Sequence, residues 1–159
     1  MSISDLIVVM KLGVVQQIGK PQDVYDDPTN LFVAKFLGTP PINVLTGKVQ
    51  GGKVYIGEDM VLEVQGVADQ EVYIGIRPEG FELDDNGPLH CQISNVEVMG
   101  RDVSVVSTNS ASLNPQIRSI IDADNKVDLS KQTVSYRVKP HKFFLFNKET
   151  EERIRYEVK

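Results

Sequence analysis

The spacing of hydrophobic residues changes character once along the chain, close to residue 45. Before that point, residues 30–37 (NLFVAKFL) carry apolar side chains at intervals of three and four, which predicts a short amphipathic helix. Gly38 stands where a helix C-cap glycine is expected, and Pro40 and Pro41 prevent the helix from continuing. The helix therefore joins a short N-terminal piece to a longer segment of different pattern.

A further helical turn precedes this helix. Pro21 fits the first turn of a helix, where its missing N–H costs nothing, and residues 22–25 complete one turn. Asp27, directly before Pro28, is the candidate N-cap of the following helix, because its side chain can accept hydrogen bonds from free backbone N–H groups. We therefore expect two short helical segments with a break at Pro28.

The N-terminal piece predicts a hairpin. Residues 6–10 (LIVVM) and 14–19 are β-prone runs around a turn that contains Gly13. The first run is apolar at every position, which is typical of a strand that is buried on both faces. Because a two-stranded sheet is marginal alone, we interpret this strand as made for a sheet larger than the chain supplies. The alternative is a strand that packs on the rest of this chain.

From residue 45 onward the pattern is that of strands. Alternating and β-branched runs recur at spacings of roughly 8–12 residues, which favours a small sandwich or barrel. Gly51 and Gly52 predict a two-residue hairpin turn, because both central positions require positive φ. Residues 107–128 are polar and mixed, and only residues 117–121 predict a strand there. The predicted fold class is mainly β, preceded by a hairpin and short helices.

Composition and charge narrow the classes of function. The chain has 159 residues, of which 41% are hydrophobic and 25% charged, as in ordinary globular domains. Its net charge of −5 argues against a protein that follows a nucleic-acid backbone, which needs a basic face. Cys91 is the only cysteine, so no intrachain disulfide can form. No apolar run approaches the roughly 20 residues that span a bilayer.

The chain carries no motif of a known catalytic or phosphate-binding loop. It contains neither a G-x-x-x-x-G-K-[ST] loop nor a G-x-G-x-x-G turn. His90 and His141 lie far apart without cysteine or carboxylate neighbours at metal-ligand spacing, and we interpret both as surface or half-buried residues. The aromatic run at residues 143–146 (FFLF) is interpreted as core; the alternative is a platform for stacking bases.

Arg77-Pro78-Glu79 follows a strand that looks buried, and the proline fixes the chain between two opposite charges. One interpretation is an exposed strand end with a weak local ion pair. The other is a fixed, charged knuckle at an interface. Residue chemistry alone favours the first.

Residues 5–45 (DLIVVMKLGVVQQIGKPQDVYDDPTNLFVAKFLGTPPINVL) resemble the end of the nucleotide-binding domain of sugar-importing ABC transporters of the maltose and multiple-sugar type. The family pattern is a Val-Val-Met strand, a turn, Gln-x-Gly-x-Pro, and later Phe-Val-Ala-x-Phe. Three later segments resemble the regulatory domain of the same family: IGIRPE at 74–79, VEVMG at 96–100 and FLFN at 144–147. The resemblance is closest over residues 4–45 and weakest between residues 107 and 135.

The resemblance implies two parts. Residues 1–38 would be the C-terminal remnant of an ABC ATPase domain, and residues 39–159 an OB-like, transport-associated β-barrel regulatory domain. The Walker A, Q-loop, signature, Walker B and switch-histidine motifs precede this point in the family and are not in the sequence. We therefore expect no enzyme activity and no cofactor of its own in this chain, with ATP and Mg²⁺ bound by the parent ATPase.

The resemblance also implies a non-catalytic regulatory and dimerisation role in the ATP-binding subunit of a carbohydrate importer. Its partners would be a second copy of the subunit, the membrane subunits through the parent, and possible cytoplasmic regulators, but not nucleic acid. The location would be the cytoplasmic face of the membrane, as a peripheral part of the transporter. Arg77 and Glu79 are the candidate interface residues, near an exposed knuckle. The alternative function is a small-ligand or oxyanion-binding OB-like barrel.

On this interpretation the strand at residues 6–10 belongs to a sheet of the ATPase domain, and this chain does not contain the rest of that sheet. Residues 1–20 are then expected to be disordered, folded against the β-rich part in a new way, or paired with another copy. The helix at residues 30–37 is expected to dock on the barrel.

Overall fold

A computed structural model describes residues 5–38, 40–114, 116–122 and 132–158. An N-terminal hairpin consists of β1 (Ile7–Lys11) and β2 (Val14–Gly19), and two short helices follow, α1 (Pro21–Asp26) and α2 (Leu31–Phe36). The remaining strands are β3 (Asn43–Gln50), β4 (Lys53–Ile56), β5 (Asp59–Gln65), β6 (Gln70–Ile76), β7 (Phe81–Leu83), β8 (Leu89–Met99), β9 (Asp102–Thr108), β10 (Ile117–Asp122), β11 (Thr133–Val138), β12 (Phe143–Asn147), β13 (Arg153–Ile154) and β14 (Glu157–Val158).

Seven strands form one sheet in the order β13-β12-β6-β3-β4-β5-β14. Its two outermost strands belong to the same C-terminal stretch. Arg153 and Ile154 pair with β12, whereas Glu157 and Val158 pair with β5. This stretch therefore joins both edges of the sheet, which closes on itself as a barrel. A second sheet in the order β10-β9-β8-β11-β7 packs with it, and the predicted mainly β, OB-like barrel fold is confirmed.

The core explains why some strands are apolar at every position. Phe143 and Leu145 of β12 belong to the main core between the two sheets, whereas Phe144 and Phe146 point to the other face and pack against α2. A strand that is buried on both faces gains from apolar side chains at consecutive positions. The prediction that residues 143–146 are core residues is confirmed, since all four are buried.

Helix α2 lies between the barrel and the hairpin. Leu31 and Ala34 pack on the outward-facing side chains of β12, and Val33 packs with Val9 of β1 and Val24 of α1. The expected docking of this helix on the barrel is confirmed. The expectation of disorder is wrong for residues 5–19, which form the hairpin and pack one of its faces on the two helices.

Two elements that were predicted from local sequence are confirmed. Gly51 and Gly52 both have positive φ (60° and 74°) between paired Gln50 and Lys53, so the predicted two-residue turn is confirmed. The predicted strand at 117–121 is confirmed as β10, and most of the mixed segment after it lies outside the described residues. Within the described ranges, no helix is long and apolar enough to cross a membrane.

The predicted N-cap is wrong. Asn30, not Asp27, caps α2, because its side-chain oxygen accepts a hydrogen bond from the Val33 N–H at 2.9 Å. Pro28 and Thr29 lengthen the connection between the helices, which leaves Asp27 outside the first turn of α2. Asp27 instead ends α1.

Candidate functional site at the helix–barrel joint

The joint between the two helices and the barrel centres on Arg77. Strand β6 ends at Ile76, and Pro78 begins a single 3₁₀ turn, so the backbone on both sides of Arg77 is fixed. Its side chain is fully buried, with 0% of the residue exposed. The exposure predicted for Arg77 is therefore wrong. The sequence pattern did not show that α1 and α2 cover this end of β6.

The guanidinium of Arg77 binds both helices through their backbone carbonyls. Nη1 donates to the carbonyl oxygens of Ala34 and Leu37 at 2.8 and 2.9 Å, and Nη2 donates to that of Tyr25 at 2.8 Å. These carbonyls lie at the C-terminal ends of α2 and α1, where backbone carbonyls have no hydrogen-bond partner within the helix. One planar side chain thus satisfies acceptors at the ends of two helices, a geometry that lysine cannot reproduce.

Aromatic rings surround the buried charge. The guanidinium carbon of Arg77 lies 3.9 Å from the centroid of the Tyr25 ring and 5.7 Å from that of Phe144. The guanidinium of Arg153 lies 4.6 Å from the same Phe144 ring. Ring faces carry negative potential, so these contacts help to stabilise cations that are removed from water.

No carboxylate lies within ion-pair distance of Arg77 in the part of the chain that the structure describes. Burial lowers the pKa of Arg77, and the nearby Tyr25, Glu79 and Asp26 oppose that shift. An arginine remains charged nonetheless, since its ordinary pKa is far above neutral. Its Nε has no hydrogen-bond partner among the described residues. The site therefore holds a buried cation by means of carbonyl dipoles and ring faces.

Glu79 holds α1 from the solvent side of the joint. Its carboxylate accepts a hydrogen bond from the Tyr25 hydroxyl at 2.6 Å, and Lys142 lies 3.9 Å from the same oxygen. Burial, and then the hydrogen bond to Glu79, raise the pKa of the Tyr25 hydroxyl. Lys142 also pairs with Asp26 at 3.3 Å, so α1 is bound to the turn before β12 as well.

A third connection binds the linker between the helices to the C-terminal stretch. Arg153 Nη1 donates to the Asp27 carboxylate at 3.1 Å and to the Pro28 carbonyl at 3.0 Å, and the Arg153 N–H donates to Thr29. Arg155 also pairs with Asp27. The hydrogen bond from Arg155, which outweighs partial burial, holds the pKa of Asp27 below its ordinary value.

The predicted site residues are thus brought together, but around a joint within the chain. Arg77 and Glu79 both contact Tyr25. The guanidinium of Arg77 lies over the Tyr25 ring, and the carboxylate of Glu79 accepts a hydrogen bond from the Tyr25 hydroxyl. A role of either residue at an interface with another copy stays a prediction. Sequence reasoning missed Tyr25, Lys142 and Arg153. Their contacts join residues that are far apart in the chain, so no local pattern indicated these contacts.

The outer face of the hairpin is apolar and uncovered by the described residues. Val8 stands opposite Ile18 and Met10 opposite Val15, and Leu6 extends the same face. Each of these side chains is about half exposed or more, from 48% for Val15 to 66% for Leu6. The joint therefore connects the barrel to a hairpin that presents a hydrophobic surface.

The histidines do not form a reactive cluster. His90 is exposed and its ring lies 3.2 Å from Asp59, whereas His141 is exposed in the turn after β11. Among the described residues, no three His, Cys, Asp or Glu side chains come together as a metal site. The contacts at the joint fix the helices to the barrel.

Comparison with known proteins identifies the family. No family model matches the sequence. The chain is 34% identical over 166 aligned residues to the oligosaccharides import ATP-binding protein MsmX of Bacillus subtilis, covering 94% of this chain and 44% of that protein. It is 36% identical over 102 residues to the sn-glycerol-3-phosphate import ATP-binding protein UgpC of Jannaschia, covering 63% of this chain and 29% of that protein.

A putative ABC transporter ATP-binding protein of Mycoplasma pneumoniae is 32% identical over 159 residues, which cover 97% of this chain and 26% of that protein. The chain thus spans between about a quarter and just under half of the length of these relatives. The matched stretch is the C-terminal part of the relatives. The chain belongs to the family of ATP-binding subunits of ABC transporters, and it corresponds to their C-terminal part.

Proposed function

We propose that this chain is the non-catalytic regulatory and dimerisation part of the ATP-binding subunit of a carbohydrate-importing ABC transporter. The observation that carries the proposal is the joint at Arg77. It fixes the barrel to the two helices, and the helices pack on a hairpin whose outer face is apolar. A barrel held in this way moves as one body with whatever covers that face.

In the parent subunit the cover would be the ATPase domain. The relatives are longer than this chain and are ATP-binding proteins by name. ATP hydrolysis, Mg²⁺ binding and contact with the membrane subunits would belong to the parent, at the cytoplasmic face of the membrane. This chain would neither bind nor hydrolyse ATP, because its sequence has no phosphate-binding loop.

The barrel would contribute a lasting contact between two subunits. Two ATPase domains that must meet and separate in each cycle lose less entropy on meeting if their C-terminal parts stay together, because the effective concentration remains high. Glu79 is partly exposed and would lie near this contact. Arg77 is buried and would act indirectly, by holding the helices in place.

The proposal is tested in two steps. Sedimentation equilibrium of the 159-residue chain is expected to show a reversible dimer at micromolar to high micromolar concentration. A chain that stays monomeric there would contradict the dimer but would leave the family unchanged.

The second step replaces the matching C-terminal part of the Bacillus relative by this chain and measures transport-coupled ATP hydrolysis. We expect the chimaera to retain coupling and the Arg77→Met chimaera to lose most of it. Equal coupling in both would contradict a role for the joint.

A small-ligand site is the second candidate, and one cleft favours it. A cavity of about 700 Å³ lies where the turn between β4 and β5 meets β8 and the end of β9, and its polar lining includes Asp59, His90, Thr108 and Asn109. Glu58 and Asp59 make this lining acidic, which suits a neutral polyol better than an oxyanion. Calorimetry with sugars and with molybdate shows whether the cleft binds a polyol or an oxyanion. If neither ligand gives a heat of binding, this candidate is contradicted.

A further inference from the structure

The turn between β7 and β8 contains the dipeptide Asn86-Gly87, which occurs once in the sequence. Asparagine is thermolabile, and it loses ammonia most readily when glycine follows it. The backbone nitrogen of the glycine attacks the side-chain carbonyl carbon of the asparagine, and glycine has no side chain that obstructs the attack. Asn86 is exposed here, whereas Gly87 is buried.

Packing requires the glycine of this pair but not the asparagine. A Cβ at residue 87 would lie 2.4 Å from the backbone carbonyl carbon of Tyr136 and 2.9 Å from the backbone nitrogen of Arg137, both in β11. The side-chain amide of Asn86 makes no hydrogen bond with any described residue. The packing therefore selects Gly87, and nothing in the packing selects the reactive side chain before it.

The folded turn holds the reacting atoms apart. The Gly87 N–H donates to the Asp84 carbonyl at 2.8 Å, and the Asn86 N–H donates to Oδ1 of Asp84 at 2.9 Å. Neither Asp85 nor Asn86 has a positive φ, so the turn is of type I, with ψ of Asn86 at about 0°. Ring closure requires the Gly87 nitrogen to eclipse Cβ of Asn86, a rotation of ψ by about 120° from that value. This rotation breaks the hydrogen bond of Gly87.

We propose that Asn86 is a site of spontaneous deamidation, which the folded turn keeps closed and local opening of the turn exposes. The Gly87 nitrogen bonds to Cγ of Asn86, and its proton passes through water to the side-chain nitrogen, which leaves as ammonia. Water then opens the resulting succinimide ring at one of its two carbonyl carbons, which gives aspartate or isoaspartate. Water is the only co-reactant, and nothing is oxidised or reduced. The site is separate from the joint at Arg77 and does not depend on dimerisation.

The two products differ in how they fit the turn. Aspartate has the size of asparagine and leaves the backbone unchanged. Isoaspartate carries the chain through Cβ and Cγ, so one additional carbon atom enters the backbone directly before Gly87. Gly87 has no room to shift towards β11, because the backbone of Tyr136 lies within contact distance. The isoaspartyl chain therefore loses the packing of this turn on β11, and the loss makes each opening event that leads to it irreversible.

The first test follows the 159-residue chain at neutral pH and physiological temperature, with mass spectrometry of proteolytic fragments to detect the exchange of –NH₂ for –OH. The reference is a synthetic peptide with the sequence of residues 83–90 (LDDNGPLH), which is too short to hold the turn. We expect Asn86 to react at least about tenfold more slowly in the folded chain than in the peptide, because the reaction requires local opening. Equal rates in the chain and the peptide would overturn the proposal.

Substitutions at the turn test its role as the gate. Asp84→Ala removes the acceptor for the Asn86 N–H and is expected to accelerate deamidation about fivefold, the factor for one hydrogen bond. Asp84→Asn retains an oxygen at this position and removes only the charge, so its rate should stay close to wild type. Asp85→Ala is the matched control, because Asp85 is exposed and its carboxylate makes no hydrogen bond within the described ranges.

Retained dispersion of the amide signals verifies that each variant is folded. An unchanged rate in Asp84→Ala would overturn the role of the turn. Acceleration of the same size in Asp84→Asn or Asp85→Ala would overturn it as well, since that result would assign the effect to charge.

The second test compares the products. Chromatography separates the aspartyl from the isoaspartyl chain, and the Asn86→Asp variant is the reference for the aspartyl form. We expect Asn86→Asp to unfold within about 2 °C of wild type and the isoaspartyl chain to unfold at least about 4 °C lower. An isoaspartyl chain as stable as Asn86→Asp would show that the turn accepts the longer backbone, which would overturn the irreversible loss of packing on β11.

Discussion

Arg77 and Tyr25 contact each other twice: Nη2 of Arg77 donates to the Tyr25 carbonyl at 2.8 Å, and the guanidinium covers the Tyr25 ring at 3.9 Å. The two residues are far apart in sequence, one at the end of β6 and the other in α1. Their contact therefore fixes the position of the helices relative to the barrel. A buried cation without a carboxylate partner depends on such contacts, and this dependence makes the joint testable.

Arg77→Met is expected to lower the free energy of unfolding by about 3 kcal/mol, because it leaves three helix-end carbonyls without their donor. Arg77→Lys is expected to cost about 2 kcal/mol, since an ammonium cannot reach all three acceptors in one plane. Urea unfolding measures both. Arg137→Met is the control, because that arginine is mostly exposed and pairs only with Glu82 in the described region, and its cost should stay below about 0.5 kcal/mol.

Tyr25→Phe separates the hydroxyl from the ring. It removes the hydrogen bond to Glu79 and retains the face under Arg77, so we expect a loss of about 1 kcal/mol. Tyr25→Ala also removes the ring and is expected to cost about 3 kcal/mol. Equal losses in the two variants, measured by urea unfolding, would show that the ring contributes nothing to the joint.

Asp27 is expected to contribute to stability in a defined pH window. Its pKa is lower in the folded chain than the ordinary 3.8, chiefly because of the hydrogen bond from Arg155. The stabilisation is therefore present above the ordinary value and is lost as the pH falls through the lower, folded value. More than half of the carboxylate is exposed, so the size should be less than about 1 kcal/mol.

The measurement is urea unfolding of the wild type and Asp27→Asn at neutral pH and near pH 3. The variant should be less stable at neutral pH, and the difference should shrink in acid. Asp85→Asn, at an exposed turn residue, is the matched control. A difference between wild type and Asp27→Asn that does not change with pH would contradict the assignment.

Gly47→Ala is expected to destabilise the barrel by about 2–3 kcal/mol. A Cβ at this position would lie 2.4 Å from the Tyr55 carbonyl oxygen and 2.4 Å from Cδ1 of Ile74, and a backbone atom cannot easily move away. Thermal unfolding with a matched Gly100→Asn variant measures the effect. Gly100 has open space around it and a φ of 64°, which asparagine tolerates, so that variant should stay close to wild type.

The two faces of the hairpin are expected to respond differently to substitution. Val9→Ala, on the face that packs on Val24 and Val33, should cost about 1–2 kcal/mol. Ile18→Thr, on the outer face, should change stability by less than about 0.5 kcal/mol and should reduce binding of a hydrophobic dye such as ANS. Unchanged dye binding would show that the outer face is not a continuous hydrophobic surface.

Sequence patterns alone determined much of the fold. The three-and-four spacing at residues 30–37 determined α2, Gly51-Gly52 determined a hairpin turn, and the alternating runs determined a mainly β domain, because these features depend on residues that are neighbours in the chain. The continuous apolar run at residues 6–10 indicated burial on two faces, but the outer face of β1 stays exposed. The run at residues 143–146 was interpreted as core, and all four residues are buried.

Only the tertiary structure decided what lies at the joint. Arg77 looked like an exposed charge because β6 ends there, and its burial depends on α1 and α2 folding over that end. Asn30 replaces Asp27 as the cap because the chain path after Pro28, and not residue type, sets the start of α2. The closing of the barrel by residues 153–158 also joins strands that no local pattern connects. Local sequence fixes local conformation, whereas burial of a charge and pairing of distant edges depend on the whole chain.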